Sequence, residues 1–313
     1  MSGEIVDSHF HLFEEGRRPA YRPGDLDEDV AAGGHAVTQV VHVECGQGYR
    51  ARGPAHLRAV GETETVAALY GRSRGSGPDL AAIVGYADLS DPRLPEVLDA
   101  HEAAGGGRFR GIRQATAYDD DPAVPRLPQG PAPDLMARDE FRAGLAVLGG
   151  RGLSYDAYVY HPQLPQLAET ARAVPDTTIV VNHLGSPLSI GSYAGRQDEV
   201  MAAWLDGIVE LSECGNVAVK VGGLGMPMLG FGRGQLVTPI AGHQLAHAWH
   251  AVVSQVLAAF GPGRCLAESN FPVDRATCTY GAVWDAVKLL IEDLGRDDQR
   301  MVLADTARRL YRL

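Results

Sequence analysis

Short apolar, β-branched runs recur along the chain and alternate with longer amphipathic segments. The runs are Ile5-Val6, Val37–Val43, Leu80–Tyr86, Phe109–Ile112, Leu153–Val159, Thr178–Val181, Val217–Val221 and Arg264–Glu268. Runs this short and this apolar read as strands buried on both faces. Apolar residues return with helical spacing over Glu62–Tyr70, Arg93–Ala104, Arg138–Leu148, Leu164–Val174, Asp198–Cys214, Gln244–Phe260 and Tyr280–Leu294. Asp305–Leu313 closes the chain as a further amphipathic helix. Strand and helix in alternation predict parallel strands joined by right-handed crossovers. Eight such units suit a (β/α)8 (TIM) barrel, for which about 250 residues is usual. No linker or short repeat divides the 313 residues, so a single α/β domain over 1–313 is expected. An open doubly wound sheet would carry a Gly-rich loop after its first strand; here HFHLFE stands there.

Composition narrows the function. Hydrophobic residues make up 45% and charged residues 21%, enough to build a full core, and the net charge of −11 argues against nucleic acid as a partner. No apolar run is long enough to span a bilayer and no positively charged, apolar leader opens the chain, so a cytoplasmic protein is expected. Cys45, Cys214, Cys265 and Cys278 lie far apart without CxxC spacing and read as reduced thiols.

Polar residues collect where the strands end. His9 and His11 end the first run, two residues apart, so on a strand they point the same way. Glu44 ends the second, with Arg50 beyond it. Arg113 and Gln114 end the fourth, His161 follows the fifth, Asn182-His183 end the sixth, Lys220 lies in the seventh, and Glu268, Ser269 and Asn270 end the eighth. A packed core gives no reason for so many polar groups on one face, whereas barrel enzymes build their sites there. Taken singly, several residues admit two readings. Glu44 either orients a histidine or meets substrate. Arg113 either forms a structural ion pair or grips a substrate carboxylate, with Arg50 as its partner in that role. Lys220 either closes the barrel floor or serves the site, and His183 is either a satisfied core histidine or a functional one.

Two long segments also fall on this face. Thr116–Asp134 is rich in Asp, Pro and Gly; Gly222–Gln235 carries Met226, Met228, Leu229 and Phe231, apolar groups suited to a lid or substrate wall. His243, His247 and His250 share one helical face, which reads as a solvated face rather than a metal site.

The motifs IVDSHFHLF, VECG-x-x-YR, FRGIR, HPQLP, VNHLGSP, VKVGGLGM and ESNFPVD occur in this order over the whole chain. The set resembles the amidohydrolase-related (amidohydrolase 2) barrel hydrolases, in the branch that includes sugar-lactone and other lactone hydrolases. That resemblance implies a distorted (β/α)8 barrel and hydrolysis of a C–O or C–N bond. It implies that His9, His11 and His183 hold a divalent metal such as Zn²⁺, with His161 near a further ligand position. Asn270 occupies the place of the family's aspartate, which binds metal and takes the proton from water. A neutral amide does neither well. Glu268 faces the same way two residues earlier and can supply the missing carboxylate, as ligand or base. The sequence is also compatible with the metal-free mode of lactonases of this branch, which use histidines and arginines to polarise the lactone carbonyl.

The leading expectation is opening of a small lactone, acidic or sugar-derived, by water attack on the carbonyl. His9, His11, His183, His161, Glu268 and Asn270 are the candidate catalytic positions; Glu44, Arg50, Arg113, Gln114, Lys220 and Met226 are the candidate substrate contacts. A small-molecule substrate and a homodimer are the expected partners. Metal-dependent decarboxylation of an unsaturated or aromatic acid is the alternative enzyme reading. A barrel that binds a metabolite without turnover is the alternative of another class.

Overall fold

The computed structural model describes residues 3–14, 16, 19–71, 77–126, 130–230 and 238–313. Among them eight strands run in the order β1 to β8, every adjacent pair parallel. They are β1 (Ile5–Phe10), β2 (Val37–Val43), β3 (Asp79–Gly85), β4 (Phe109–Ile112), β5 (Ser154–Ala157), β6 (Ile179–Val181), β7 (Val217–Val221) and β8 (Cys265–Ala267). Just past the end of β8 the chain turns back onto β1. Asn270 N–H donates to His9 O (2.9 Å) and His11 N–H to Phe271 O (2.7 Å), which nearly closes the sheet into a barrel.

Helices fill the crossovers: α1 (Pro23–Gly33), α2 (Val60–Gly71), α3 (Leu94–Ala104), α4 (Asp139–Gly150), α5 (Leu164–Ala173), α6 (Gln197–Ser212), α7 (Gly242–Phe260) and α8 (Tyr280–Leu290). The sequence pattern does not show α1. Its stretch PGDLDEDVAAG is short and acidic and buries only Leu26, so no apolar stripe marks it. The helix expected over Tyr280–Leu294 stops at Leu290, and the short α9 (Arg296–Arg300) follows. A wide turn over Met301–Asp305 then leads into α10 (Thr306–Tyr311).

Alternation along the strands sorts the core into two parts. Val6, Val41, Val43, Ala82, Val84, Val180, Ala218 and Leu266 fill the barrel interior, and Ala304, Ala307 and Tyr311 pack against them as a plug. The residues between, such as Ile5, Phe10, Val217 and Val219, point outward into the layer shared with the helices. At β1 this parity is broken deliberately. Val6 faces in, yet His9 joins the inward cluster; the pairing with β2 shifts register between Asp7 and Phe10, and such a bulge moves the following side chains to the other face.

Candidate active site

Four side chains meet at the C-terminal mouth. His9 and His11, from β1 and its end, bring their Nε2 atoms to 3.2 Å. His183 follows β6, with its ring centroid 4.7 Å from that of His9. Glu268 follows β8 and lies between two imidazoles: Oε1 is 2.7 Å from His183 Nδ1 and Oε2 is 2.9 Å from His9 Nδ1. All four are at least 97% buried.

Glycines make room for this carboxylate. A Cβ on Gly222 would stand 2.2 Å from Glu268 Cγ, and one on Gly223 would stand 2.8 Å from His183 Cβ. The pair GG after β7 is therefore the bed on which Glu268 and His183 lie. Backbone strain also gathers here. His183, Leu184 and Ser186 have φ of 52°, 56° and 47°, and Asn270 has 54°. Left-handed non-glycine residues cost about 1–3 kcal/mol each and persist only where surroundings hold them. At His183 the holders are its own N–H on Glu268 Oε1 (3.1 Å) and Trp204 Nε1–H on Leu184 O (2.7 Å).

The partners assign the imidazole protons. A carbonyl can only accept, so His11 Nδ1, 2.7 Å from Val43 O, carries its hydrogen and Nε2 presents a lone pair. Glu268 Oε1 places the proton of His183 on Nδ1 in the same way. Burial, joined by the positive charges of Lys220 and Arg113, holds His9 and His11 well below the ordinary histidine range, so both are neutral at pH 7. His9 Nδ1 faces both Glu268 Oε2 (2.9 Å) and the Lys220 ammonium (3.4 Å), and its Nε2 faces the lone pair of His11. That contact needs a proton on His9 Nε2 or a bound cation. Glu268 Oε2 points to the same need: it lies close to His9 Nδ1 but outside hydrogen-bonding alignment, and is a buried oxygen with no aligned donor among the described residues. His9, His183 and Glu268 each offer one ligand atom within 4.8 Å of the others, and this donor set fits a divalent ion such as zinc. Nitrogen held by a carboxylate or carbonyl on its far side is also the usual support of a metal-binding histidine.

Around this core Arg113 donates through Nε to Glu44 Oε1 (2.9 Å) and through Nη2 to Glu44 O, while Nη1 lies 3.5 Å from His9 Nε2. Burial raises Glu44 to about 7 against the pull of Arg113. Beneath His9, Lys220 Nζ donates to Asp156 Oδ2 (2.6 Å) and Ser8 O (2.8 Å) and stands 3.4 Å from His9 Nδ1. Asp156 also accepts from the Tyr311 hydroxyl (2.9 Å) and from Asn182 Nδ2 (3.3 Å). Lys220 is thus tied to the floor below and adjoins the cluster above.

Other candidate residues lie apart from the four. Asn270 turns its amide to Asp274 Oδ1 (2.8 Å), whose other oxygen accepts from Gly225 N–H (2.8 Å), so the pair links the loops after β8 and β7. His161 accepts from Leu188 N–H (3.3 Å) and meets the Tyr193 ring, 4.9 Å between centroids; burial lowers it to about 4. The Arg50 guanidinium is held by Glu64 (2.5 and 3.0 Å), and Gln114 spans Leu89 N–H and Asp88. Met226 is buried in the loop after β7, and Met228 in that loop receives the Tyr158 hydroxyl at 3.6 Å. Phe231 lies outside the described residues. His243, His247 and His250 are exposed on α7.

Three residues that bear on the site do not figure among the sequence candidates. Tyr158 sets its ring edge-on to His183, 5.5 Å between centroids. Asp156 is the charged residue of the fully buried strand β5, a signal readable in SYDAYV. Asp7 accepts from Ser269 N–H (2.9 Å), Ser269 Oγ (2.6 Å) and the Tyr280 hydroxyl (3.0 Å), and so sets the seam that aligns Glu268 with His9.

The amidohydrolase family model matches residues 6–313. The chain belongs to this family. An uncharacterized protein, y4mH, of Sinorhizobium fredii is 30% identical over 99% of this chain and 98% of its own length. The L-fucono-1,5-lactonase of Burkholderia multivorans is 26% identical over 82% of this chain and 83% of its own. Among solved structures, an amidohydrolase from B. multivorans with bound zinc superposes with a TM-score of 0.77 at 23% identity, covering 99% of each chain. At lower similarity the same fold serves hydrolases and decarboxylases alike, so the fold does not choose the reaction.

Proposed function

We propose that this amidohydrolase opens a small lactone by attack of water on the ring carbonyl. One observation carries the reading: a buried carboxylate, Glu268, stands between His9 and His183 at the barrel mouth and keeps one oxygen free of an aligned donor among the described residues. The family match and the likeness to a sugar-lactone hydrolase support it. Glu268 Oε2 takes the proton from the attacking water as the oxygen joins the acyl carbon. Arg113 Nη1, beside His9, faces the carbonyl oxygen as charge develops there, a donor set in place before reaction. Tyr158, edge-on to His183, and Met228, which receives its hydroxyl, adjoin the cluster. If a divalent ion is loaded, His9, His183 and Glu268 would hold it, with His11 adjoining. Such an ion would supply Lewis-acid charge at the carbonyl and would lower the pKa of water there.

The test is hydrolysis of a lactone panel by wild type and by Glu268→Gln, each checked for folding and metal content. Loss of a general base costs roughly 10²–10⁴-fold in kcat. A Glu268→Gln variant that opens the preferred lactone at wild-type rate removes Glu268 from the mechanism. Stoichiometric metal together with release of CO₂ from an unsaturated acid would favour the decarboxylase reading instead.

A further inference from the structure

The wall of the mouth formed by the segments after β2 and β3 holds polar atoms that the hydrolytic step does not use. Glu44 is 2% exposed; Oε1 is taken by Arg113, whereas Oε2 has no hydrogen-bond partner at proper geometry among the described residues, although the Gly46 amide exerts some pull on the carboxyl. The Tyr49 hydroxyl, from the same segment, is likewise buried without a partner. Burial, with the Glu44 charge adding to it, raises Tyr49; burial, then Asp88 and Glu44, raises Tyr86 to about 12. The Tyr49 and Tyr86 rings stand 6.4 Å apart. This group adjoins the reacting centre: His11 rests on the carbonyl of Val43, next to Glu44, and the Arg113 that holds Glu44 reaches His9.

Buried acceptors and donors are normally satisfied, because an unmade hydrogen bond leaves the desolvation of the group uncompensated. Two unpaired polar atoms on one wall therefore ask for a ligand with hydroxyl groups. The charges tell against a carboxylate. Arg113 is neutralised by Glu44, Arg50 by Glu64 and Lys220 by Asp156. Above about pH 7, where Glu44 is ionised, an anionic substituent reaching this wall meets Glu44 rather than a free cation.

We propose that Glu44 Oε2 and the Tyr49 hydroxyl form a subsite that reads ring hydroxyls and selects a neutral, hydroxylated lactone over a carboxylated one. This rests on the lactonase reading above and makes its substrate specific. A hydroxyl donates to Glu44 Oε2 and accepts from, or donates to, Tyr49. A ring without hydroxyls leaves both unpaired, and sites built for a substrate hydroxyl reject the analogue lacking it strongly.

The experiment compares kcat/KM for an aldonolactone, for δ-valerolactone and for a δ-lactone bearing a carboxylate, in wild type, Tyr49→Phe and Glu44→Gln. Wild type is expected to prefer the aldonolactone over both others by at least about 100-fold. Tyr49→Phe lowers the aldonolactone-to-valerolactone ratio at least tenfold. Glu44→Gln, which keeps the carbonyl that accepts from Arg113 but removes the charge, lowers the aldonolactone-to-carboxylate ratio at least tenfold. Ratios unchanged within twofold in both variants, or a wild type that favours the carboxylated ring, overturn the subsite while leaving lactone hydrolysis standing. A folded wild type that opens none of the three overturns the lactonase reading and this one with it.

Discussion

At the residue scale the site is a problem of room and protons. Glu268 takes the place beside two histidines only because Gly222 has no side chain, and Gly222→Ala tests this. Its methyl would fall 2.2 Å from Glu268 Cγ and 2.4 Å from the Glu268 carbonyl oxygen, so the strand ends must part. Overpacking of this kind costs about 1–3 kcal/mol; the expected result is a lower Tm and a loss of activity well beyond what the Tm predicts, read by calorimetry and the lactone assay together. Full activity in Gly222→Ala would mean that the position of Glu268 is not critical. The sequence displays the candidate site residues plainly: HxH, NH and ES stand at run ends, and the structure brings His9, His11, His183 and Glu268 together. It does not display who holds whom. Arg50 and Arg113 look alike in VECG-x-x-YR and FRGIR, yet their partners, Glu64 and Glu44, are fourteen and sixty-nine positions away. Long-range pairing of side chains leaves no periodic mark on a chain.

At the element scale the loops after β7 and β8 are joined through Asp274, which takes the Gly225 amide and the Asn270 side chain. Burial raises this carboxyl from 3.8 to about 8. The unfolded chain then loses its proton at lower pH than the folded one. Asp274 therefore costs nothing below its unfolded pKa and progressively destabilises the fold as pH rises through the window from 3.8 to about 8. Asp274→Asn removes the titration at the cost of one hydrogen bond, about 1 kcal/mol. The difference in Tm, variant minus wild type, is expected to climb across that window; a flat difference would show that Asp274 keeps an ordinary pKa. Strands were the most legible elements, because burial on both faces writes continuous apolar runs, and Val37–Val43, Phe109–Ile112 and Val217–Val221 coincide with β2, β4 and β7. The acidic α1 escaped because it offers the core a single leucine. The β1 bulge escaped as well, since a register shift depends on the neighbouring strand and not on β1 alone.

At the scale of the whole molecule, the C-terminal helix reaches the site through the barrel axis. Tyr311 closes the floor and holds Asp156, which holds Lys220 beneath His9. Lys220 and Asp156 are both fully buried, and removing one partner of such a pair costs about 3–5 kcal/mol, whereas replacing both with apolar groups is far milder. Lys220→Met is expected to destabilise by that amount, and Lys220→Met combined with Asp156→Leu to recover much of it, as measured by denaturant unfolding. Equal losses in single and double variants would deny the coupling. The floor, the bulged first strand and the glycine bed all converge on one carboxylate. The most direct measurement is therefore the steady-state hydrolysis of an aldonolactone by wild type and by Glu268→Gln, both shown folded. The account predicts turnover by wild type and a fall of roughly 10²–10⁴-fold in kcat for the variant. Equal rates in the two proteins, or no turnover of any lactone by folded wild type, would contradict it.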